Sequence, residues 1–101
     1  MIKYRLTNEA VKDLEEIWSY TCNKWSVAQA DRYYKLIIEE IEFIALNPLS
    51  GKPIDYVKPG FRSSKVKSHL IFYKVINDDN ILVVRILHQR MDTESRIKTG
   101  K

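Results

Sequence analysis

The hydrophobic period changes once along this chain, and that change divides it. Up to residue 46, apolar side chains recur at spacings of three and four. Beyond residue 60 they come in unbroken runs such as Leu70–Tyr73 and Ile81–Val84. Between them lies Asn47 to Gly60, with all three prolines (Pro48, Pro53, Pro59) and two of the three glycines (Gly51, Gly60). A period near 3.6 reads as helix, and continuous β-branched runs read as strands covered on both faces. The chain is therefore expected to place helices first and a sheet second.

Ile2, Tyr4 and Leu6 alternate with Lys3 and Arg5, which predicts a short first strand. Thr7 or Asn8 can cap the helix that follows, with Glu9 facing the positive end of its dipole. Its apolar stripe is Ala10, Leu14, Ile17, Thr21 and Trp25, with Val11, Trp18 and Cys22 beside it. Glu9, Lys12, Asp13, Glu15, Glu16 and Ser19 are assigned away from the stripe's centre. Ser26 and Gln29 have capping-box spacing and open a second helix to about Leu46. Ala30, Tyr33 or Tyr34, Ile37, Ile41, Ile44 and Ala45 form its buried face. Asn47-Pro48 ends it, because a residue before proline is driven out of the helical region. So short a connection makes the two helices an antiparallel hairpin.

Three strands follow: Phe61 to Lys67, His69 to Ile76, and Ile81 to His88, with a turn at Asn77–Asn80. The first is basic and suits a charge-guarded edge. The expected fold is α+β, in the order β-α-α-β-β-β, with the helical hairpin packed on an antiparallel sheet. At 101 residues the chain is expected to be one domain, 1–101, ending in a polar tail from about residue 89.

Charge is unevenly placed. Residues 1–50 carry 6 basic and 8 acidic side chains, and residues 51–101 carry 11 and 5, so the net +4 is −2 and +6. Such asymmetry suggests an anionic partner for the second half. The single Cys22 excludes an internal disulfide and a cysteine zinc site, which suits a reducing cytoplasm. No apolar run approaches a membrane span, and the first residues lack a signal-peptide core.

The common catalytic signatures are missing: no phosphate-binding glycine loop, no His-x-x-x-His helix, no nucleophile elbow. Glu39, Glu40 and Glu42 read as a solvated helix face. A hairpin closing symmetrically on Asp78-Asp79 would set Ile76 against Ile81, Phe72 against Arg85 and His69 against His88. The two histidines would then lie together near Lys65, Lys67 and Arg90. Such a pair can bind an anion, exchange protons or cap sheet edges, and the residues alone leave these open. No metal or cofactor is expected. Arg85, inside an apolar run, needs a partner: Asp92, Glu94 or a carboxylate on the first helix. Trp18, Tyr20, Trp25, Tyr33 and Tyr34 should be mostly core, and any that are exposed mark a protein-binding surface.

Taken together, these segments resemble the ParE-type toxins of the RelE/ParE toxin–antitoxin superfamily. The resemblance spans nearly the whole chain. It rests on Ala10–Trp18 with Tyr20-Thr21, Trp25, Gln29-Ala30, Asn47-Pro48, Gly51 and Gly60-Phe61-Arg62. Its most specific pieces are Ser68–Tyr73 and Arg85–Asp92. It implies a plasmid-stabilisation or similar module in which a ParD-like antitoxin with an acidic disordered tail neutralises the toxin. It also implies DNA gyrase as the target, inhibited by contact and not by catalysis, through a C-terminal region here corresponding to His88 to Lys101. The target-binding candidates are His88, Gln89, Arg90, Met91, Asp92 and Arg96. Arg62, Lys65, Lys67 and His69 form a candidate basic sheet surface. Trp18, Trp25, Tyr33 and Tyr34 are the antitoxin-binding candidates. The alternative is the ribosome-dependent mRNA endonuclease activity of the RelE branch. It is disfavoured because Leu70 stands where ribonuclease members tend to place an arginine. Direct nucleic-acid binding ranks third.

Overall fold

In the computed structural model, residues 3–77, 80–90 and 97 are described. The elements are β1 (Lys3–Leu6), α1 (Asn8–Lys24), α2 (Val27–Leu46), β2 (Lys52–Pro53), β3 (Phe61–Val66), β4 (His69–Asn77) and β5 (Asn80–His88). Both helix starts follow from their caps. The Thr7 hydroxyl accepts the Ala10 N–H, and the Ser26 hydroxyl accepts the Gln29 N–H. Only Trp25 and Ser26 separate the helices.

The α+β class and the element order are as the sequence predicts. The sheet differs in two respects. It has five strands in the order β1-β5-β4-β3-β2, and β1 runs parallel to β5, so the sheet is mixed and not wholly antiparallel. The helical hairpin between β1 and the later strands supplies the long crossover that a parallel pair needs. Strand β2 lies in the segment read as loop. Two residues are too few to carry a period, and one of them is proline.

The β4–β5 hairpin pairs His69 with His88, Phe72 with Arg85 and Asn77 with Asn80, as symmetric closure requires. In between, the register slips by one, so Ile81 faces Val75 and not Ile76. Val84 on β5 and Ile76 on β4 are the compensating extra residues. The first has a clear consequence. Strict alternation from Ile81 and Val83 would send Arg85 and Leu87 beneath the helices. With the bulge, Ile86 joins Ile81 and Val83 in the helix-covered core, and Val84 and Leu87 enter the core on the other face.

The sheet thus has a core on each side. Under the helices, Ala10, Leu14, Ile37, Ile41 and Ile44 meet Ile71, Tyr73, Ile81 and Val83. On the other face, Ile54, Phe61, Phe72, Val84 and Leu87 gather with Ile97. Ile97 is 3% exposed, so the nominally polar tail has a buried anchor.

Tyr73 fastens the 47–60 segment to the sheet. It is fully buried, its hydroxyl donates to the Pro48 carbonyl (2.8 Å), and it accepts the Gly51 N–H (2.9 Å). Arg62 closes the same segment by donating to the carbonyls of Gly51 (2.7 Å) and Leu49 (3.2 Å). A Cβ on Gly51 would overlap the Tyr73 side chain. Gly51→Ala is therefore expected to cost about 2–3 kcal/mol, through overpacking and loss of the Tyr73 bonds. Urea unfolding should show a lower midpoint at unchanged slope.

Candidate functional site

One open cleft of about 630 Å³ runs between the helical hairpin and the ends of β4 and β5. Its walls include Asp13, Glu16, Tyr20, Trp25, Tyr33, Lys67, His69, Arg85 and His88.

Asp13 and Arg85 tie the two walls together. Asp13 is 7% exposed, contrary to its placement away from the apolar stripe. It lies three residues after Ala10 and one before Leu14, on the sheet-facing side. Its carboxylate accepts Arg85 Nε (2.8 Å) and Nη2 (3.0 Å), and also the Ile86 N–H (2.9 Å). Three donors on one carboxylate offset the cost of removing it from water. Donating to Asp13 holds Arg85 even further above its usual range. The partner is thus the helix-one carboxylate that the sequence offered as one of three choices.

His69 and His88 stand edge to face, with ring centroids 5.2 Å apart. The Tyr33 hydroxyl lies 2.7 Å from His69 Nδ1 and donates to the Val66 carbonyl at 3.2 Å. A hydroxyl has one proton. With it given to Val66, His69 Nδ1 carries the other hydrogen and Nε2 remains an acceptor. His88 Nδ1 accepts the Arg90 N–H (3.1 Å), which places the proton of its neutral ring on Nε2. Burial pushes His69 down to about 4, and the neighbouring His88 adds to this, partly opposed by Asp13. Burial likewise raises the Tyr33 hydroxyl.

The remaining candidates are scattered. Trp18 and Tyr33 are half-buried, and the Trp18 N–H donates to Asp31. Trp25 and Tyr20 are 70% and 64% exposed, and Tyr34 is also exposed, so the helix aromatics are not mostly core. The apolar capacity of both helices is already taken by alanine, leucine and isoleucine. Arg62 is held by loop carbonyls, while Lys65 and Lys67 are exposed. Gln89 and Arg90 are exposed beyond β5, and the Gln89 N–H donates to Ser68. Met91, Asp92 and Arg96, and the possible Arg85 partner Glu94, lie outside the described residues. The sequence presents Tyr33 as an aromatic ring; its hydroxyl contacts depend on α2 bringing it to the end of β3 and the start of β4. Among the described residues, no group of three or more His, Cys, Asp or Glu is arranged to hold a metal ion. No helix there is long and apolar enough to cross a membrane.

Two outcomes follow. Asp13→Asn and Arg85→Met should each cost about 3 kcal/mol, the scale for breaking a buried pair, and a double-mutant cycle should show strong coupling. The His69 shift sets a pH dependence. The unfolded chain takes up a proton near 6.5 but the folded chain only near 4, so stability is full above 6.5 and falls as pH drops through that window. Chemical denaturation against pH should show this slope, and His69→Gln should flatten it.

Comparison with known proteins adds a family relation. The family model described as ParE toxin of type II toxin-antitoxin system, parDE, matches residues 4–93. Toxin ParE1 of Mycobacterium tuberculosis (strain ATCC 25618 / H37Rv) is 40% identical over 95 residues, covering 94% of this chain and 97% of that protein. Toxin ParE1 of Caulobacter vibrioides is 35% identical, covering 96% and 99%. Toxin ParE of Escherichia coli is 34% identical, covering 96% and 94%. In fold, the chain matches a solved structure described as a chromosomal ParDE TA system from P. aeruginosa. The TM-score is 0.73 at 21% identity, with 87% of this chain and 96% of that one covered.

Proposed function

Because this chain belongs to the ParE toxins of type II toxin–antitoxin systems, we propose that it inhibits DNA gyrase by direct contact in the cytoplasm. A cognate antitoxin with an acidic tail neutralises it. The observation that carries this reading is the family relation, which runs from residue 4 to residue 93 and so takes in both cleft walls and the end of β5.

The geometry supports action by binding and not by catalysis. Arg85 is tied to Asp13, and Arg62 to loop carbonyls, so neither guanidinium is free to meet a reacting phosphate. His88, Gln89 and Arg90 stand at the open end of the β4–β5 hairpin and are proposed as part of the gyrase contact. Trp25 and Tyr34, exposed on the hairpin, suit the antitoxin, since aromatic side chains are frequent interface anchors. The half-buried Trp18 and Tyr33 would contribute only their accessible edges.

One observation favours the mRNA-cleavage alternative: His69, held neutral against Tyr33 inside the cleft, has a free ring nitrogen able to take a proton. Primer extension on translated mRNA separates the readings, because only the alternative gives toxin-dependent cuts.

The main test is a supercoiling assay with purified gyrase. Added toxin should block supercoiling and accumulate cleaved plasmid, and prior mixing with the antitoxin should abolish both effects. No change in gyrase activity at large toxin excess would end the proposal.

A further inference from the structure

The turn between β3 and β4 consists of Lys67 and Ser68 alone, and Lys67 sits there at φ 54°. Among the described residues it is the one non-glycine with positive φ. A turn position of this kind favours glycine or asparagine, and a lysine there carries conformational strain. The exposed Lys67 side chain lines the basic end of the cleft, beside His69 and His88. A residue that is locally disfavoured and still presents a charge to a cleft points to a use for that charge.

At the Lys67 end the donors are the lysine ammonium and His88 Nε2–H, with His69 Nε2 as a proton acceptor between the rings. The charged and titratable groups facing this end are Asp13 and Glu16 from α1, Tyr33 from α2, and Arg85 from β5. Asp13 and Arg85 neutralise each other. Glu16 adds to the negative charge that raises Arg85, and exposed Tyr20 and Trp25 also line the cleft.

We propose that Lys67, His69 and His88 form a receptor for a carboxylate carried by an acidic, partly apolar polypeptide segment lying in this cleft. A carboxylate there accepts from Lys67 and from His88 Nε2–H. It also favours proton uptake on His69 Nε2, which has no hydrogen-bond partner among the described residues. The apolar residues of the segment cover Tyr20 and Trp25. The inference rests on the reading that the chain has an acidic protein partner, and it assigns that partner's carboxylate a place.

Two synthetic peptides test it with the whole chain: one with glutamates flanking leucine and phenylalanine, the other with glutamine at each glutamate. Titration calorimetry is run at about pH 7, and the histidine NMR signals are followed as the pH is lowered. At neutral pH the acidic peptide should gain roughly three- to fivefold in affinity from its carboxylates, the scale of one partly exposed ion pair, and should raise the His69 midpoint above about 4. The glutamine peptide should do neither. Lys67→Asn keeps a residue suited to positive φ and removes the charge, so it should fold at least as well and bind the acidic peptide several-fold more weakly. Equal binding of the two peptides, or full affinity in Lys67→Asn, overturns the receptor. So does inorganic phosphate competing as well as the acidic peptide, which would make this a small-anion site. The gyrase assay stands apart: wild-type toxin that blocks gyrase but shows no preference for the acidic peptide refutes the receptor and leaves the gyrase reading intact.

Discussion

Asp13 holds this molecule's two layers in register. Its carboxylate binds the Arg85 guanidinium through two nitrogens and the Ile86 backbone through a third donor. That places α1 against β5 just past the Val84 bulge, where the strand exchanges which face each side chain serves. The start of the helix is tied to the same strand, since the Thr7 N–H donates to Val83 and its hydroxyl donates to Val84. The cleft inherits its shape from these bonds, because one wall is α1 and another is the end of β5. Loss of either charged partner strands the other in a largely dry site, which is why the interaction is more costly to break than a surface pair.

Much of this was legible beforehand because several signals agreed. Caps at Thr7 and Ser26, the stop at Asn47-Pro48 and the switch in period located both helices and the meander. The His69–His88 pairing followed from a two-residue turn, and the bulges left it intact because their slips cancel. What escaped had non-local causes. The parallel pairing of β1 depends on a strand more than seventy residues away. The sequence pattern assigns Asp13 away from the stripe's centre, although it stands three residues after Ala10. Its burial is possible only because Arg85 arrives from the far end of the chain. The exposed aromatics were misjudged for the converse reason: size suggested core, but smaller aliphatic residues had filled both helix faces. In the candidate site, the histidine pair was visible and the Tyr33 hydroxyl beside it was not.

The opening charge asymmetry takes a more definite form on the fold. Of the basic residues in the second half, Arg62 and Arg85 are internal ties, whereas Lys65 and Lys67 face solvent and Arg90 stands beyond β5. Lys52 and Lys74 are exposed elsewhere on the sheet, and Lys65, Lys67 and Arg90 place further positive charge at the open end of β4 and β5, beside the cleft. Exposed Trp25 and Tyr20 line the same cleft as Lys67. A surface that pairs cationic groups with unshielded aromatics suits an acidic polypeptide better than a featureless polyanion, because it rewards apolar contact along with charge. Arg62 and Arg85 are bonded within the fold, whereas Lys65, Lys67 and Arg90 remain accessible.

That division makes stoichiometry the most direct measurement. Gyrase held well above the dissociation constant should lose activity in proportion to added toxin, reach zero at a fixed molar ratio, and show no further change with time. Progressive inactivation by toxin present far below the gyrase concentration would mean turnover, and would contradict an account built on contact alone.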